Sequence, residues 1–308
     1  MVNEVIAFDR VAKRYARVEA VADISLSIGR GEMFGLIGPD GAGKTTTLRM
    51  MCGLLRPDRG TVRVLGLDPV RDHLALTASM GYLSQRFSLY ADLSLDENIS
   101  FFAEIHGLRA YASRRDRLLS LTGLTPFRSR LAGQLSGGMK QKLALACTLV
   151  HEPKVIVLDE PTTGVDPVSR REFWKLLAEL LAQGITIVMS TPYLDEAERC
   201  ARVAFLHEGR LLALDTPAAL RASLPGTLFE VMVSDHRKVG AALAGVAGVS
   251  SVQLFGERAH VRLSDDRGDG ASRLTASLRA AGLDAASIRP IPSSLEDVFV
   301  TKLGEMQS

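Results

Sequence analysis

Apolar and polar residues alternate in VIAFDRVAKRY and again in AVADISLSIG, and a repeat of two predicts half-buried strands. The run MFGLIG at 33–38 has almost no polar position and predicts a strand buried on both faces. It passes straight into GPDGAGKTT and then TTLRMMCGLL, so the local order is strand, glycine-rich loop, helix. A Gly-punctuated strand pair is expected near TVRVLG. Residues 92–150 read mostly as helix, in LSLDENISFFAEIHGL, RRDRLLSLTGL and GGMKQKLALACTLV. Buried strands return in KVIVLDEP and GITIVMST, with the amphipathic SRREFWKLLAELLAQ between them. Strand, helix, strand in this order implies a parallel sheet.

The pattern breaks near Leu224–Gly226 and restarts. LFEVMV, HRKVGAALAG, VSSVQLF, AHVRLS, GASRLTASLRAAG and ASIRPI read as β-α-β-β-α-β, the order of a ferredoxin-like unit. The expected organisation is a large α/β domain over 1–224, with helices concentrated at about 92–150, and a small α+β domain over 227–303. SDDRGDG at 264–270 is a polar loop inside the latter, and no internal repeat is evident.

Three strings carry chemistry. Gly38 to Thr45 reads GPDGAGKT and fits G-x-x-x-x-G-K-[ST]. Glycines in such a loop let backbone N–H groups curl around phosphate oxygens, a lysine (Lys44) reaches the β- and γ-phosphates, and a hydroxyl (Thr45) faces Mg²⁺. The helix that follows points its positive end at the phosphates. Second, VIVLDE ends a buried strand on Asp159 and Glu160. Ligands of parallel sheets bind at that end. There Asp159 can hold Mg²⁺ through water and Glu160 can polarise an attacking water. Third, LSGGMKQ places Ser136, Gly137 and Gly138 before a helix. Ser136 suits the N-cap, and the exposed N–H groups form a second anion site. A second phosphate-binding helix end has a use if it faces the nucleotide of another protomer.

Composition removes alternatives. The 308 residues are 46% hydrophobic and 23% charged, ordinary for a globular chain. A net charge of +2 gives no reason to expect nucleic acid as a partner. Cys52, Cys147 and Cys200 form no CxxC pair, so neither a disulfide framework nor a zinc site is expected. The first residues include Asn3, Glu4, Asp9 and Arg10 where a secretion signal needs an apolar run. The apolar runs are strand-length, whereas a spanning helix needs about 20 residues. A soluble protein is expected, with any membrane supplied by a partner.

The glycine loop, LSGGMKQ and VIVLDEP stand in the order and spacing of ABC ATPases, and over residues 3–220 the chain resembles that family. The resemblance implies a P-loop ABC ATPase fold: a RecA-like parallel core with an antiparallel β subdomain and a helical subdomain. It implies ATP and Mg²⁺, and a head-to-tail dimer in which each ATP lies between one P-loop and the other domain's LSGGMKQ. ATP contacts would come from Gly38, Asp40, Gly41, Ala42, Gly43, Lys44, Thr45 and Thr46, and across the dimer from Ser136, Gly137 and Gly138. Tyr15 matches the aromatic that stacks on adenine. Gln85 in GYLSQ matches the glutamine that senses Mg²⁺ and the γ-phosphate, and Asp166 in TTGVDP the aspartate that communicates with the opposite site. Thr45, Gln85 and Asp159 would be the Mg²⁺ side chains, Glu160 and Gln85 the catalytic ones.

Two positions depart from the pattern. Asp40 stands where asparagine is commoner. Where the family places a switch histidine, this chain reads Ser190-Thr191-Pro192-Tyr193. Proline has no side-chain donor and no backbone N–H. His151 and His207 are better read as ordinary structural histidines. A chain without the histidine is similar to the N-terminal ATPase half of bacterial exporters that carry two ATPase halves, and PSSLEDVFV resembles the tail of daunorubicin-resistance ATPases.

The implied partners are a transmembrane permease, a second ATPase domain (another copy of this chain or, favoured, a non-identical one that keeps its histidine), and, for an exporter, a periplasmic adaptor. The implied location is the cytoplasmic face of the inner membrane. The permease is expected in a groove lined by Phe87, Tyr90, Phe101 and Phe102. Two other functions compete. One is a nucleotide-binding scaffold with little turnover, suggested by Pro192. The other is an ABC protein of translation or DNA repair; the single cassette and the lack of a heptad run weigh against it.

Overall fold

The computed structural model describes residues 4–85, 89–233, 235–243, 245–265, 268–283 and 285–307. Strands β1 (Glu4–Tyr15) and β2 (Val18–Gly29) pair antiparallel; β2 alternates from Ile24 to Ile28, whereas register shifts break the alternation in β1, where Val5 and Ile6, and again Val11 and Ala12, are buried side by side. Strand β3 (Met33–Ile37) is buried at every position. The glycine loop leads from it into helix α1 (Lys44–Met51). Strand β4 (Arg59–Val64) then joins β1 in a sheet of order β2-β1-β4. The pair expected near TVRVLG is this strand closed by a Val64–Leu67 bridge.

Helix α2 (His73–Thr77) and strand β5 (Met80–Leu83) precede the helical region. That region holds α3 (Leu95–Ile105), α4 (Ala112–Leu121) and α5 (Gly137–Leu149). A Ser94/Glu97 capping box starts α3, each residue's side chain bonded to the other's backbone N–H. The chain returns through β6 (Val155–Asp159), α6 (Pro167–Ala182), β7 (Thr186–Thr191), α7 (Leu194–Ala197), β8 (Arg202–His207) and β9 (Arg210–Asp215).

These strands form a second sheet of order β5-β6-β7-β3-β8-β9, parallel except for the β8–β9 hairpin. Parallel strands covered on both faces explain runs such as VIVL, where every side chain is buried. Phe8, Ile24 and Ile28 of the antiparallel sheet, Leu48 and Met51 of α1, and Phe34 and Leu36 of β3 belong to one core. Burying such side chains is worth about 1.5–3 kcal/mol each. That core holds the P-loop helix from both sides.

The chain divides into two compact units, one ending at Thr216 and the other starting at Pro217. The sequence break near Leu224 lies inside the second unit, because helix α8 (Pro217–Ala222) packs on the last helix of that unit. There β10 (Thr227–Val233), α9 (Val239–Leu243), β11 (Val249–Phe255), β12 (Arg258–Leu263), α10 (Gly270–Ala280) and β13 (Ala285–Ile291) follow in β-α-β-β-α-β order. The sheet is antiparallel, of order β11-β12-β10-β13, and Phe229, Val231, Val261, Leu274 and Leu278 form its core. Helix α11 (Leu295–Gln307), which starts in the SSLEDVFV tail and continues past it, is not among the elements expected from the sequence. Ser294 and Asp297 cap it reciprocally, and Asp297 also accepts from His260 Nδ1 at 2.8 Å, which ties the helix to β12.

Candidate active site

Parallel register assembles the site. Leu36 of β3 pairs with Ser190 of β7, and Ser190 pairs with Asp159 of β6. The glycine loop and both carboxylates therefore leave the sheet at one edge, the carboxyl ends of its strands. A cavity of about 880 Å³ opens there. Its walls include Tyr15, Asp40, Gly41, Ala42, Gly43, Lys44, Thr45, Thr46, Gln85 and Glu160.

Lys44 is buried, and its ammonium donates to the Gly38 and Pro39 carbonyls at 2.8 and 3.0 Å. It also pairs with Glu160 Oε1 at 3.2 Å. A buried ammonium needs such partners, and an anion entering the loop meets a positive charge already aimed by the loop's own carbonyls. Gly43 is required where it stands: its φ is +97°, and a Cβ there would strike the Ala20 carbonyl.

Beside the lysine, Thr45 Oγ1 donates to Asp159 Oδ1 at 3.1 Å, and Ser190 Oγ donates to the same oxygen at 2.6 Å. The Tyr82 hydroxyl reaches Asp159 Oδ2 at 3.4 Å. Burial, reinforced by the Asp159 charge, pushes the Tyr82 hydroxyl up, so it remains a donor. Gln85 Nε2 donates to Glu160 Oε2 at 3.0 Å. The set Thr45, Asp159 and Gln85 offers hydroxyl, carboxylate and amide oxygens, the hard ligands that Mg²⁺ takes alongside phosphate and water. These residues fit Mg²⁺.

Glu160 has a left-handed backbone, with φ +48°. Its N–H is held by Ser190, through the carbonyl at 3.2 Å and the hydroxyl at 3.0 Å.

Tyr15 ends β1, is 44% exposed, and has the Lys13 ammonium 6.0 Å from its ring centroid. Glu19, Glu208 and Arg210 also line the cavity and were not anticipated. The turn between β8 and β9 brings the last two in, with Gly209 N–H donating to the Ala42 carbonyl and the Ala22 N–H to the Gly209 carbonyl. Only the EGR punctuation hinted at that turn.

Ser136, Gly137, Gly138 and Asp166 do not line this cavity. They form a second group. Ser136 Oγ caps α5 by accepting from Met139 N–H at 3.3 Å. Asp166 Oδ1 caps α6, accepting from Val168 and Ser169 N–H at 3.1 and 3.0 Å. The Ser169 N–H foremost holds the Asp166 carboxyl below its ordinary value. A Cβ on Gly138 would strike the Ser169 side chain, so the two capped helix starts are fitted closely together.

Pro192 is half-buried and does not line the cavity. Of the expected docking aromatics, Tyr90, Phe101 and Phe102 make a T-shaped series with centroids 4.5 and 5.6 Å apart; Phe87 lies outside the described residues. His151 stacks on His106 at 3.8 Å and its Nε2 meets the Met80 carbonyl at 3.1 Å, away from the carboxylates. The three cysteines are buried and unpaired. No described helix is long and apolar enough to cross a membrane.

Comparison with known proteins extends the geometry. Residues 21–163 match a family model described as ABC transporter. The chain is 42% identical over 99% of its length to the probable multidrug ABC transporter ATP-binding protein YbhF of Escherichia coli (strain K12) and spans 53%, about half, of that relative. It is 34% identical to the daunorubicin resistance ATP-binding protein DrrA3 of Streptomyces coeruleorubidus, covering 99% of this chain and 98% of that one. Among solved structures, cbiO1 from Clostridium perfringens, part of the ABC transporter complex cbiONQ, superposes with a TM-score of 0.66 at 30% identity, covering 79% of this chain and 96% of that chain. A dimeric ATP-binding cassette, MJ0796, in a post-hydrolysis state bound to ADP and Pi superposes at 0.62 with 27% identity, covering 68% and 98%.

Proposed function

Because this chain belongs to the ABC transporter family as an ATP-binding subunit, we propose that it hydrolyses ATP at the Lys44–Glu160 cavity and couples the reaction to export through a separate transmembrane permease. The observation that carries this is the chain of contacts Gly38–Lys44–Glu160–Gln85, with Asp159–Thr45 alongside. Lys44 and the loop amides of Gly38 and of residues 40–46 bind the β- and γ-phosphates, and Tyr15 stacks on the base. Thr45, Asp159 and Gln85 would hold Mg²⁺, which would supply neutralisation of phosphate charge. Glu160 accepts a proton from the attacking water, and Gln85 Nε2, bonded to it, fixes its direction. When phosphate enters, it takes the ammonium from Glu160, which frees that carboxylate to act as base.

Ser136, Gly137, Gly138 and Asp166 stand apart from the cavity, which supports a role on the ATP of a second ATPase domain. The names of YbhF and DrrA3 support multidrug or drug export, and a permease partner supports peripheral attachment at the cytoplasmic membrane face. The decisive experiment is calorimetry with Mg·ATP on Lys44→Ala. Loss of binding is expected, because the one ammonium in the pocket is gone; unchanged affinity would refute the assignment.

Pro192 favours a second reading of the turnover rate. With no donor at the switch position, hydrolysis at this chain's own P-loop should be slow, by about 10²–10⁴-fold if the missing contact acts on the transition state. The active partner is then a non-identical ATPase domain that retains its histidine. Pro192→His should accelerate the isolated chain while leaving ATP affinity unchanged. No acceleration, in a chain already turning over at roughly 1–10³ per second, would remove the argument for an unequal pair.

A further inference from the structure

One buried carboxylate near the site takes no part in the scheme above. Glu196, in α7, is 1% exposed. Its Oε1 accepts from Thr162 Oγ1 at 2.5 Å and its Oε2 from Thr191 Oγ1 at 2.7 Å. Arg170, in the first turn of α6, brings Nε to 3.7 Å from the same carboxylate and lays its guanidinium 4.8 Å from the Tyr193 ring centroid. Tyr193 N–H in turn donates to Thr191 Oγ1 at 3.1 Å. Glu196 therefore joins the end of β7, at Thr191, to the stretch that runs from the loop after β6, at Thr162, into the first turn of α6, at Arg170.

Position in the chain gives this clamp a meaning. Thr162 lies two residues after Glu160, and Thr191 directly follows Ser190. Ser190 holds the Glu160 N–H and Asp159 Oδ1. Glu160 is thus fastened on its amino side by Ser190 and on its carboxyl side, through Thr162, by Glu196. Between the two anchors its backbone is left-handed, with φ +48°. L side chains seldom adopt that region, and a residue stays in it only where the surrounding structure overdetermines it. Ser190 supplies one constraint, the Thr163 N–H, which donates to the Glu160 carbonyl at 3.2 Å, a second, and Glu196, through Thr162, a third.

From this we infer that Glu196 is a positioning residue for ATP hydrolysis: through Thr162 it holds Glu160 in the backbone conformation that keeps its carboxylate between Lys44 and Gln85. The inference rests on the ATP-hydrolysing reading above. It also assigns a mechanical partner to the Pro192 loop. Thr191 and Tyr193 flank the proline and both belong to the clamp, so this loop is held through side-chain hydroxyls and an aromatic ring at the place where it has no donor of its own. Asp166, which caps the helix carrying Arg170, ends the same loop that holds Glu160 and Thr162, so a shift of that loop reaches Glu160 through the Glu196 carboxylate.

The test uses the full chain, single-turnover cleavage of radiolabelled ATP with protein in excess, and ATP affinity by calorimetry. Thr162→Val keeps the shape and removes the hydroxyl. It should slow cleavage on the order of 10²-fold, the cost typical of an ångström-scale misplacement, with ATP affinity unchanged. Thr162→Ser should restore the wild-type rate. Glu196→Gln keeps the volume and loses the charge opposite Arg170, so it should slow cleavage too. The double variant should be no slower than the slower single one, as expected of groups acting as a unit. A hydroxyl with a purely structural role would lower melting temperature and affinity together with the rate. If Thr162→Val fails to fold, Glu196→Gln against wild type carries the test. Wild-type cleavage rates in folded Thr162→Val or Glu196→Gln would overturn the inference alone. A wild-type chain that binds no ATP, or binds without cleaving it, would overturn the hydrolytic reading and this inference with it.

Discussion

At the scale of single residues, burial sets the chemistry as much as charge does. Lys44 survives at 4% exposure because three oxygens surround its ammonium, whereas His151 meets burial the other way. Burial first, then the neighbouring His106, pushes His151 down to about 4 from an ordinary value of 6.5. The unfolded chain therefore takes up this proton at a higher pH than the folded one. The His151 contribution to stability is complete above about pH 6.5 and is lost as pH falls towards 4. Thermal melts of the wild type should decline over that interval, and His151→Gln should decline less steeply. An identical pH profile for the variant would show that the stacked imidazole is protonated without cost. Lys44, Thr45, Asp159 and Glu160 are legible in short local strings, because the chemistry of each depends on neighbours in sequence. Tyr82, Ser190 and Glu196 are not, because their partners lie 77, 31 and 34 residues away. No local spacing encodes such a distance.

At the scale of elements, caps and close approaches define the site's edges. Helix α5 begins at Ser136, whose hydroxyl takes the Met139 N–H, and removing such a cap costs about 1 kcal/mol. Ser136→Ala should lower stability by about that amount in a urea titration, while Ser136→Gly should lose only a few tenths. Neither should change ATP affinity of the isolated chain, since Ser136 does not line its own cavity. A loss of affinity in either would place the start of α5 in the site of its own chain. Helix periodicity and turn punctuation anticipate α1, α3, α5 and α6, and alternation anticipates β1 and β2. The short helices α2, α7 and α8 escape because a turn or two of helix carries too few residues for a 3.6 repeat to show. Helix α11 is long enough to carry one, yet its sequence announces itself only as a tail.

At the scale of the molecule, the two units differ in what they bring. Every residue assigned here to nucleotide chemistry lies before Thr216, where the first unit ends. A chain ending at Thr216 should therefore bind Mg·ATP as the full chain does. A chain ending at Pro225 should behave worse in solution, because it keeps Leu220 and Leu224 of the second unit without α11, on which α8 packs. Calorimetry and light scattering on the two truncations decide this; a folded Thr216 chain that cannot bind ATP would mean that the second unit completes the site. The restart of the pattern after Gly226 discloses the second unit and its β-α-β-β-α-β order. The unit itself begins earlier, at Pro217, with α8 ahead of the first strand and packed on α11.

The strand order of the large sheet also governs how the protein is made. β3, which leads into the phosphate loop, pairs only with β7 and β8. The ribosome produces the loop at residue 38, but β8 ends at His207. At roughly 5–20 residues per second, the loop is out of the tunnel for roughly 8–35 s before its strand can find both neighbours. During that interval MFGLI is an unpaired apolar strand, the kind of segment that chaperones bind. The first functional motif to be translated is thus among the last to become functional, and a nascent chain stalled before β7 should retain no ATP however long it waits.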